Sequence, residues 1–234
     1  MAKVERPFDE ELKLLKEQLL EMASRAEEQI AQAVRGLKER REELACDVLR
    51  KEQAVNQLDI SIDENAMRLL ALRQPMAADL RFITSALKIS SDLERIGDLA
   101  VNIAERTIEL LKHPQLKPLI DIPRMAEISQ GMVRDAISAF ISGDAELARK
   151  VCERDDEVDR LNSQVFRELL TFMMEDPATI TRAVDLILVG RHLERIADHA
   201  TNIGEDVIYM VKGKTIKHHI EEQGFDLAKS SGCK

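Results

Sequence analysis

Asp92-Leu93-Glu94-Arg95-Ile96-Gly97-Asp98-Leu99-Ala100-Val101-Asn102-Ile103-Ala104-Glu105 is written almost twice in this chain. Its second copy, His192-Leu193-Glu194-Arg195-Ile196-Ala197-Asp198-His199-Ala200-Thr201-Asn202-Ile203-Gly204-Glu205, follows at an offset of 100 residues. On an α-helix, at about 100° per residue, Glu94, Asp98 and Glu105 fall within about 40° of one another, with Asn102 at the margin. One face of the helix therefore carries a column of oxygen ligands. Ile96, Ala100, Ile103 and Thr107 lie on the opposite side, and Lys88, Arg95 and Arg106 mark a separate arc that reads as the solvent side. Like charges at i and i+4 cost a few tenths of a kcal/mol on an isolated helix, so Glu94 over Asp98, and again Glu194 over Asp198, require a compensating cation. That cation is either a neighbouring Arg or a metal.

The totals agree with a helical protein. A chain of 234 residues with 44% hydrophobic content can bury one large core or two small ones. Aromatics are 3% and Trp is absent, so the core must be built from Leu, Ile, Ala, Val and Met, which favours helices. A formal charge of −9 argues against a general nucleic-acid binder and suits metal cations or basic protein surfaces. Cys46, Cys152 and Cys233 are widely spaced with no CxxC, which reads as a reducing cytoplasm. Met1 to Arg6 has no apolar signal core and no continuous apolar run reaches about 18 residues, so contact with a membrane is expected only indirectly, through partners.

Working outward, Phe8 to about Arg40 reads as a long helix, with Asp9, Glu10 and Glu11 in the first turn and Leu12, Leu15, Leu19, Met22, Ala26, Ile30, Ala33 and Leu37 recurring every three to four residues. After a charged break at Arg40 to Glu42, a second helix runs to about Arg73, and after Pro75 a third carries the opening motif to about Leu111. His113-Pro114-Gln115-Leu116-Lys117-Pro118, with Pro123 beyond, is the most linker-like stretch. The plan then repeats: a helix from about Pro123 to Ile141, a turn and N-cap at Gly143-Asp144, a helix to about Glu175, a cap and first-turn proline at Asp176-Pro177, and a last helix ending near Lys212-Gly213. Glu43-Leu44-Ala45 matches Glu146-Leu147-Ala148, and Val55-x-x-Leu58 matches Val158-x-x-Leu161, at an offset of 103; the drop to 100 predicts a loop about three residues longer at Pro75 than at Pro177. The expected fold is all-α, two tandem pseudo-symmetric antiparallel three-helix bundles of six helices. The expected divisions are 1–112, a linker at 113–122, a second bundle at 123–213, and a polar tail at 214–234 carrying His218-His219.

The offset of 103 exposes a second acidic column. Glu52, Asn56, Asp59 and Asp63 stand at i, i+4, i+7 and i+11, and Asp155, Asp159 and Asn162 occupy the positions equivalent to the first three. If the columns of each half face one another, each half holds a carboxylate pocket: Glu94 and Asp98 with Glu52, Asn56 and Asp59, and Glu194 and Asp198 with Asp155, Asp159 and Asn162. Asn102, Glu105, Asn202 and Glu205 are possible outer ligands. Such oxygens suit Mg, Mn, Ca or iron better than Zn. The plainer alternative pairs these acids with Arg68, Arg73, Arg81 and Arg95. Gly97 and Gly204, whose counterparts are Ala197 and Ala104, form with Ala100 and Ala200 a small-residue seam for close helix packing. His192 and His199, with Asp92 and Leu99 as counterparts, read as surface residues. No catalytic residue is assigned: the motifs lack the Glu-x-x-His of di-metal oxidases, Asp198-His199 is in the wrong order for a His-Asp phosphohydrolase, and GxSxG, P-loop and HExxH are absent.

Leu93-Glu94-Arg95-Ile96-Gly97-Asp98 with Asn102-Ile103, the repeat at Leu193 to Ile203, Arg73-Gln74-Pro75 leading into Asp79-Leu80-Arg81, Met173-Met174-Glu175-Asp176 and Tyr209-x-Val211-Lys212-Gly213 together resemble the PhoU family of phosphate-specific transport system accessory proteins, from about residue 8 to 213. The resemblance implies a non-enzymatic cytoplasmic regulator of phosphate homeostasis that keeps the phosphate-starvation regulon off. It also implies contacts with a phosphate-sensing histidine kinase (PhoR-like) and the ATPase subunit of the phosphate ABC transporter (PstB-like), homo-oligomerisation, and divalent or multinuclear metal (iron, Mn, Mg or Zn) on E/D-x-x-x-D motifs. Glu94-x-x-x-Asp98, Glu194-x-x-x-Asp198 and Asp155-x-x-x-Asp159 match that motif; Glu52-x-x-x-Asn56 departs by an amide, which predicts a weaker first-half site. A carboxylate-bridged metalloenzyme and a purely structural scaffold are the rival readings.

Overall fold

A computed structural model of the chain describes residues 7–214. Residues 1–6 and the expected tail from 215 onward, with His218, His219 and Cys233, lie outside the described residues. Among the described residues there are seven α-helices and no strand: α1 (Pro7–Glu39), α2 (Glu42–Arg73), α3 (Ala77–Leu111), α4 (Asp121–Ser142), α5 (Ala145–Glu153), α6 (Asp155–Glu175) and α7 (Ile180–Lys212). A short 3₁₀ turn, Pro177–Thr179, leads into α7.

The all-α plan of two tandem three-helix bundles is correct, with one correction: the expected fifth helix is broken at Arg154 into α5 and α6. The Arg154 guanidinium is drawn off to α4, donating to Asp135 Oδ2 at 2.7 Å and to the Ile128 carbonyl at 3.3 Å. Asp155, Asp156 and Glu157 then place three negative charges in the first turn of a new helix, where the macrodipole favours them. The equivalent run in α2, Glu52-Gln53-Ala54, has one acid, and α2 continues unbroken.

In α1, Leu15, Leu19, Met22, Ala26, Ile30, Ala33 and Leu37 are all buried, as their spacing predicts, and so are Ile96, Ala100, Ile103 and Thr107 of α3. The small residues do what a seam requires. The close approach is at Gly204, where a Cβ would meet the Ala148 carbonyl oxygen of α5 at 3.0 Å, whereas a Cβ on Gly97 would make only ordinary contact with Val55 Cγ1 of α2 at 3.4 Å. The turns also follow their residues: Gly143 takes φ 69° and Asp144 accepts from the Glu146 and Leu147 amides, while Gly213 closes α7 at φ 67°. At Pro75 three irregular residues, entered through Gln74 at φ 46°, separate Arg73 from Ala77, whose repeat equivalents Asp176 and Pro177 are adjacent, so the loop is longer by three as the offsets predict.

α3 and α7 form the central and most extensively packed pair. Arg81 Nε donates to the Met210 carbonyl at 3.0 Å, Lys88 Nζ pairs with Asp206 at 3.2 Å, and Arg106 Nη1 with Asp185 at 3.3 Å. Rising numbers on one helix meet falling numbers on the other, so the pair is antiparallel. The solvent-arc reading holds for Arg95 and for Lys88, which is exposed even though its ammonium reaches Asp206, while Arg106 is half-buried against the other repeat. Phe82 of α3 stacks on Phe140 of α4 with centroids 4.8 Å apart, a second contact between repeats.

The connection from α3 to α4 is tied down rather than free. Arg40 Nη2 donates to the carbonyls of Leu111 at 3.1 Å and His113 at 2.5 Å, and Arg182 Nη1 to that of Pro114 at 3.1 Å. Lys117, only 9% exposed, ion-pairs with Glu168 of α6. Removing the acid strands a nearly buried ammonium, so Glu168→Ala should cost about 1–2 kcal/mol in urea unfolding, while Lys117→Met, which removes the buried charge itself, should be near neutral. Equal losses from both would refute this account. Helix α4 starts at Asp121, two residues before Pro123, whose missing N–H falls in the first turn where it has no intrahelical partner.

Candidate functional site

Both pairs of acidic columns converge, α2 on α3 and α6 on α7. In the first repeat the Glu94 carboxyl is held above the usual carboxylate range, chiefly by burial and then by Asp98, with Asp59 and Glu52 adding and Arg95 opposing. Arg95 lies 3.5 Å from Glu94 and 3.4 Å from Asp98. Ser90 Oγ donates to Asp59. Asp63, farther along the column, is raised by burial and by Asp59. Of the arginines named by the plainer alternative, Arg95 does pair with the column, whereas Arg68 and Arg73 engage Glu11 and Arg81 a carbonyl.

In the second repeat the strain falls on Asp155. Asp155 is pushed up to about 6, first by burial and then by Asp198, Asp159, Asp156 and Glu194. Its Oδ1 is buried with no hydrogen-bond partner. Asp198 is raised by burial and Asp159 against the pull of Arg191, His199 and Arg195. Asn162 Nδ2 donates to Glu194 Oε2 at 2.9 Å, and Arg191 pairs with the same oxygen.

The remaining candidates are not drawn in. Asn56, Asn102 and Asn202 are half-buried and hydrogen-bond none of these acids, and Glu105 is exposed. Glu205 acts on Cys152, whose thiol is pushed up to about 11 by burial and by that carboxylate.

The donor chemistry fits a hard cation: mutually repelling carboxylates would be neutralised, and Asp155 Oδ1 would gain its missing partner. The fit is better in the second repeat only at Asp155, whose Oδ1 has no partner, since Arg191 and Asn162 serve Glu194 much as Arg95 and Ser90 serve the first set. Among the described residues no three His, Cys, Asp or Glu side chains are gathered tightly enough to hold an ion as they stand.

The histidine reading needs correction. His199 Nδ1 lies 2.8 Å from Asp92 Oδ1, with both side chains more than four-fifths buried, so the two motifs are joined directly across the α3–α7 seam. By the pseudo-symmetry of that seam, His192 should meet Leu99, which offers no acceptor. His192 Nδ1 is indeed buried without a partner, and burial, with Arg195 and Arg106, holds its pKa below the ordinary value. Ser90 was also missed as the partner of Asp59. Its counterpart is Gly190, where a Cβ would collide with Asn162 Oδ1 at 2.8 Å, so position 90/190 either donates to the column or makes room for it. The signal was the Ser/Gly pair at offset 100.

The PhoU domain matches residues 19–107 and again 122–207, once in each bundle. The chain is 47% identical over 215 residues to the phosphate-specific transport system accessory protein PhoU homolog of Aquifex aeolicus, covering 92% of this chain and 97% of that one. It is 42% identical over 216 residues to the Pseudomonas putida homolog, with 92% and 84% coverage. Its fold superposes on the crystal structure of PhoU from Pseudomonas aeruginosa with a TM-score of 0.85, at 42% identity, covering 88% of this chain and all of that one. The phosphate transport system regulatory protein PhoU from Streptococcus pneumoniae gives 0.84 at 31% identity, with 90% and 99% coverage. With the doubled motif, its paired acid columns and the shared fold all in register, this chain belongs to the PhoU family.

Proposed function

We propose that this chain is a metal-binding, non-enzymatic accessory regulator of phosphate transport. It acts as a negative regulator of the phosphate-starvation regulon and a modulator of the phosphate ABC transporter, through contacts with a phosphate-sensing histidine kinase and the transporter ATPase. The observation that carries the reading is the match, over nine-tenths of the chain, to relatives named as accessory proteins of that transport system. Among the described residues no helix is long and apolar enough to cross a membrane, so attachment to a membrane complex would come from protein contacts. Asp155, Asp159, Glu194 and Asp198 would hold a cation in the second repeat, with Glu52, Asp59, Glu94 and Asp98 as the weaker first-repeat set. The ion would supply positive charge that ties α6 to α7 and α2 to α3.

Elemental analysis of anaerobically purified protein tests the metal. Wild type should carry bound Fe, Mn or Mg; Asp155→Ala/Asp198→Ala should lose most of it, and Glu94→Ala/Asp98→Ala a smaller share. A metal-free wild type would instead support the structural-scaffold reading, which the Arg95 and Arg191 pairs already favour locally. The adaptor role is sunk if the protein fails to bind both kinase and ATPase at physiological salt.

A further inference from the structure

The duplication provides an internal comparison, and one surface differs between its halves. Phe166, Leu170 and Met174 stand at i, i+4 and i+8 on α6, exposed by 46, 38 and 85%, and Ile180, Val184 and Leu188 form a matching stripe on α7, exposed by 46, 42 and 37%. Phe166 and Leu188 line a groove of about 560 Å³ between the helices, whose polar end carries Arg167, Asn162 and the Arg191–Glu194 ion pair. In the first repeat the counterparts of Phe166, Val184 and Leu188 are Asp63, Thr84 and Lys88, and that of Arg167 is Glu64. Phe166, Val184 and Leu188 thus replace polar or charged counterparts, while Leu170 and Ile180 keep exposed apolar ones in Met67 and Leu80, and the polar end in the second repeat carries Arg167 beside the Arg191–Glu194 pair. Contiguous exposed apolar side chains of this kind mark interaction surfaces. The opposite end of the stripe is acidic, at the exposed Glu175 and Asp176.

We propose that this groove docks one amphipathic helix of a partner protein. Apolar anchors at i, i+4 and i+7 would fill the roughly 12 Å between Phe166 and Met174. The charges fix its direction. Carboxylates at the N-terminus of the incoming helix meet Arg167, since Arg191 already pairs with Glu194, and Lys or Arg at its C-terminus meet Glu175 and Asp176; acids at its N-terminus and bases at its C-terminus also stabilise the incoming helix itself. A second copy of this chain would present the same concavity, groove against groove, and fill neither. α7 ends at Lys212, about 40 Å along its axis from Leu186, so a segment following it would need about twelve residues fully extended to reach the groove. The inference deepens the adaptor reading and rests on it only in that the chain works by binding proteins; it does not depend on the metal.

The test uses a fluorescent fourteen-residue helical peptide with Leu at i, i+4 and i+7, two Glu at its N-terminus and two Lys at its C-terminus, beside a peptide with those charges exchanged, titrated into the full chain by anisotropy. The first peptide should bind at least tenfold tighter than the second. Leu170→Asp/Val184→Asp should weaken it at least tenfold, Met67→Asp in the first repeat should not, and Arg167→Glu/Glu175→Lys should reverse the preference between peptides with the circular dichroism unchanged. Absence of binding, equal binding of both peptides, or equal loss in Met67→Asp overturns the proposal. So does a concentration-dependent dimer in sedimentation that Leu170→Asp dissociates, which would assign the groove to a second copy. A wild-type chain that engages kinase and ATPase but does not bind the peptide would refute the groove alone.

Discussion

Phe140→Ala should lower the unfolding free energy by about 3–5 kcal/mol, the range for deleting a buried aromatic that leaves a cavity. Phe140 is 1% exposed and is the largest side chain buried so completely, and its ring lies 4.8 Å from that of Phe82 at an interplanar angle of 17°. The two rings come from α4 and α3, so the cavity opens between the repeats and both halves should lose stability together. Urea unfolding followed by circular dichroism should show a lower midpoint with an unchanged slope. Phe82→Ala should be cheaper, because Phe82 is only half-buried. The double mutant should reveal a coupling of about 0.5–1.5 kcal/mol beyond the area lost. A cost below about 1 kcal/mol for Phe140→Ala would mean that the helices close over the gap and that the stack is not a structural joint.

Asp155→Asn should stabilise the metal-free protein at pH 7.5. The folded-state pKa of Asp155 is raised to about 6, whereas an unfolded Asp titrates near 3.9. Between about pH 4 and pH 6 the native state therefore holds a proton that the unfolded chain has released, and stability falls as pH rises through that window. Above it, wild type carries the full penalty. The nominal value of about 3 kcal/mol is reduced by solvent at this half-exposed group to about 1–2 kcal/mol. Melts in chelator at pH 4, 5, 6 and 7.5 should show the variant ahead at 7.5 and the two proteins equal by pH 4. Added Mn should then raise the melting temperature of wild type more than that of the variant. A variant less stable than wild type at pH 7.5 in chelator would mean that Asp155 is already satisfied by the protein.

Much of this was legible because the two signals involved are local. The helices could be read from apolar spacing, since Leu15, Leu19, Met22 and Ile30 meet the core whatever the partner helix is. The acid columns could be read from the offsets, since a duplicated bundle places equivalent positions on equivalent faces. What escaped is what depends on the other repeat. Arg106 looks like a solvent residue on a helical wheel because the wheel does not contain α7, and the wheel shows Lys88 as exposed without its reach to Asp206. His199 looks exposed for the same reason, and its bond to Asp92 joins residues that are not repeat equivalents. The break at Arg154 is a single residue that keeps helical dihedrals, so apolar spacing does not register it; the signs beside it are the three acids that follow and the contacts of the guanidinium with Asp135 and Ile128. The exposed stripe on α6 and α7 could have been found by asking where the two halves disagree, at Phe166 against Asp63 and Leu188 against Lys88, rather than where they agree.

The tied strap from His113 to Ile120 has a consequence for dosage. Two separate three-helix bundles meeting along α3 and α7 would associate only as far as their abundance allowed. Joined by this short segment, they face each other at an effective concentration of about millimolar, whatever the number of molecules present. A protein of this design keeps its Asp92–His199 seam closed when only a few copies exist, so its output can follow the abundance and state of its partners without first depending on self-assembly.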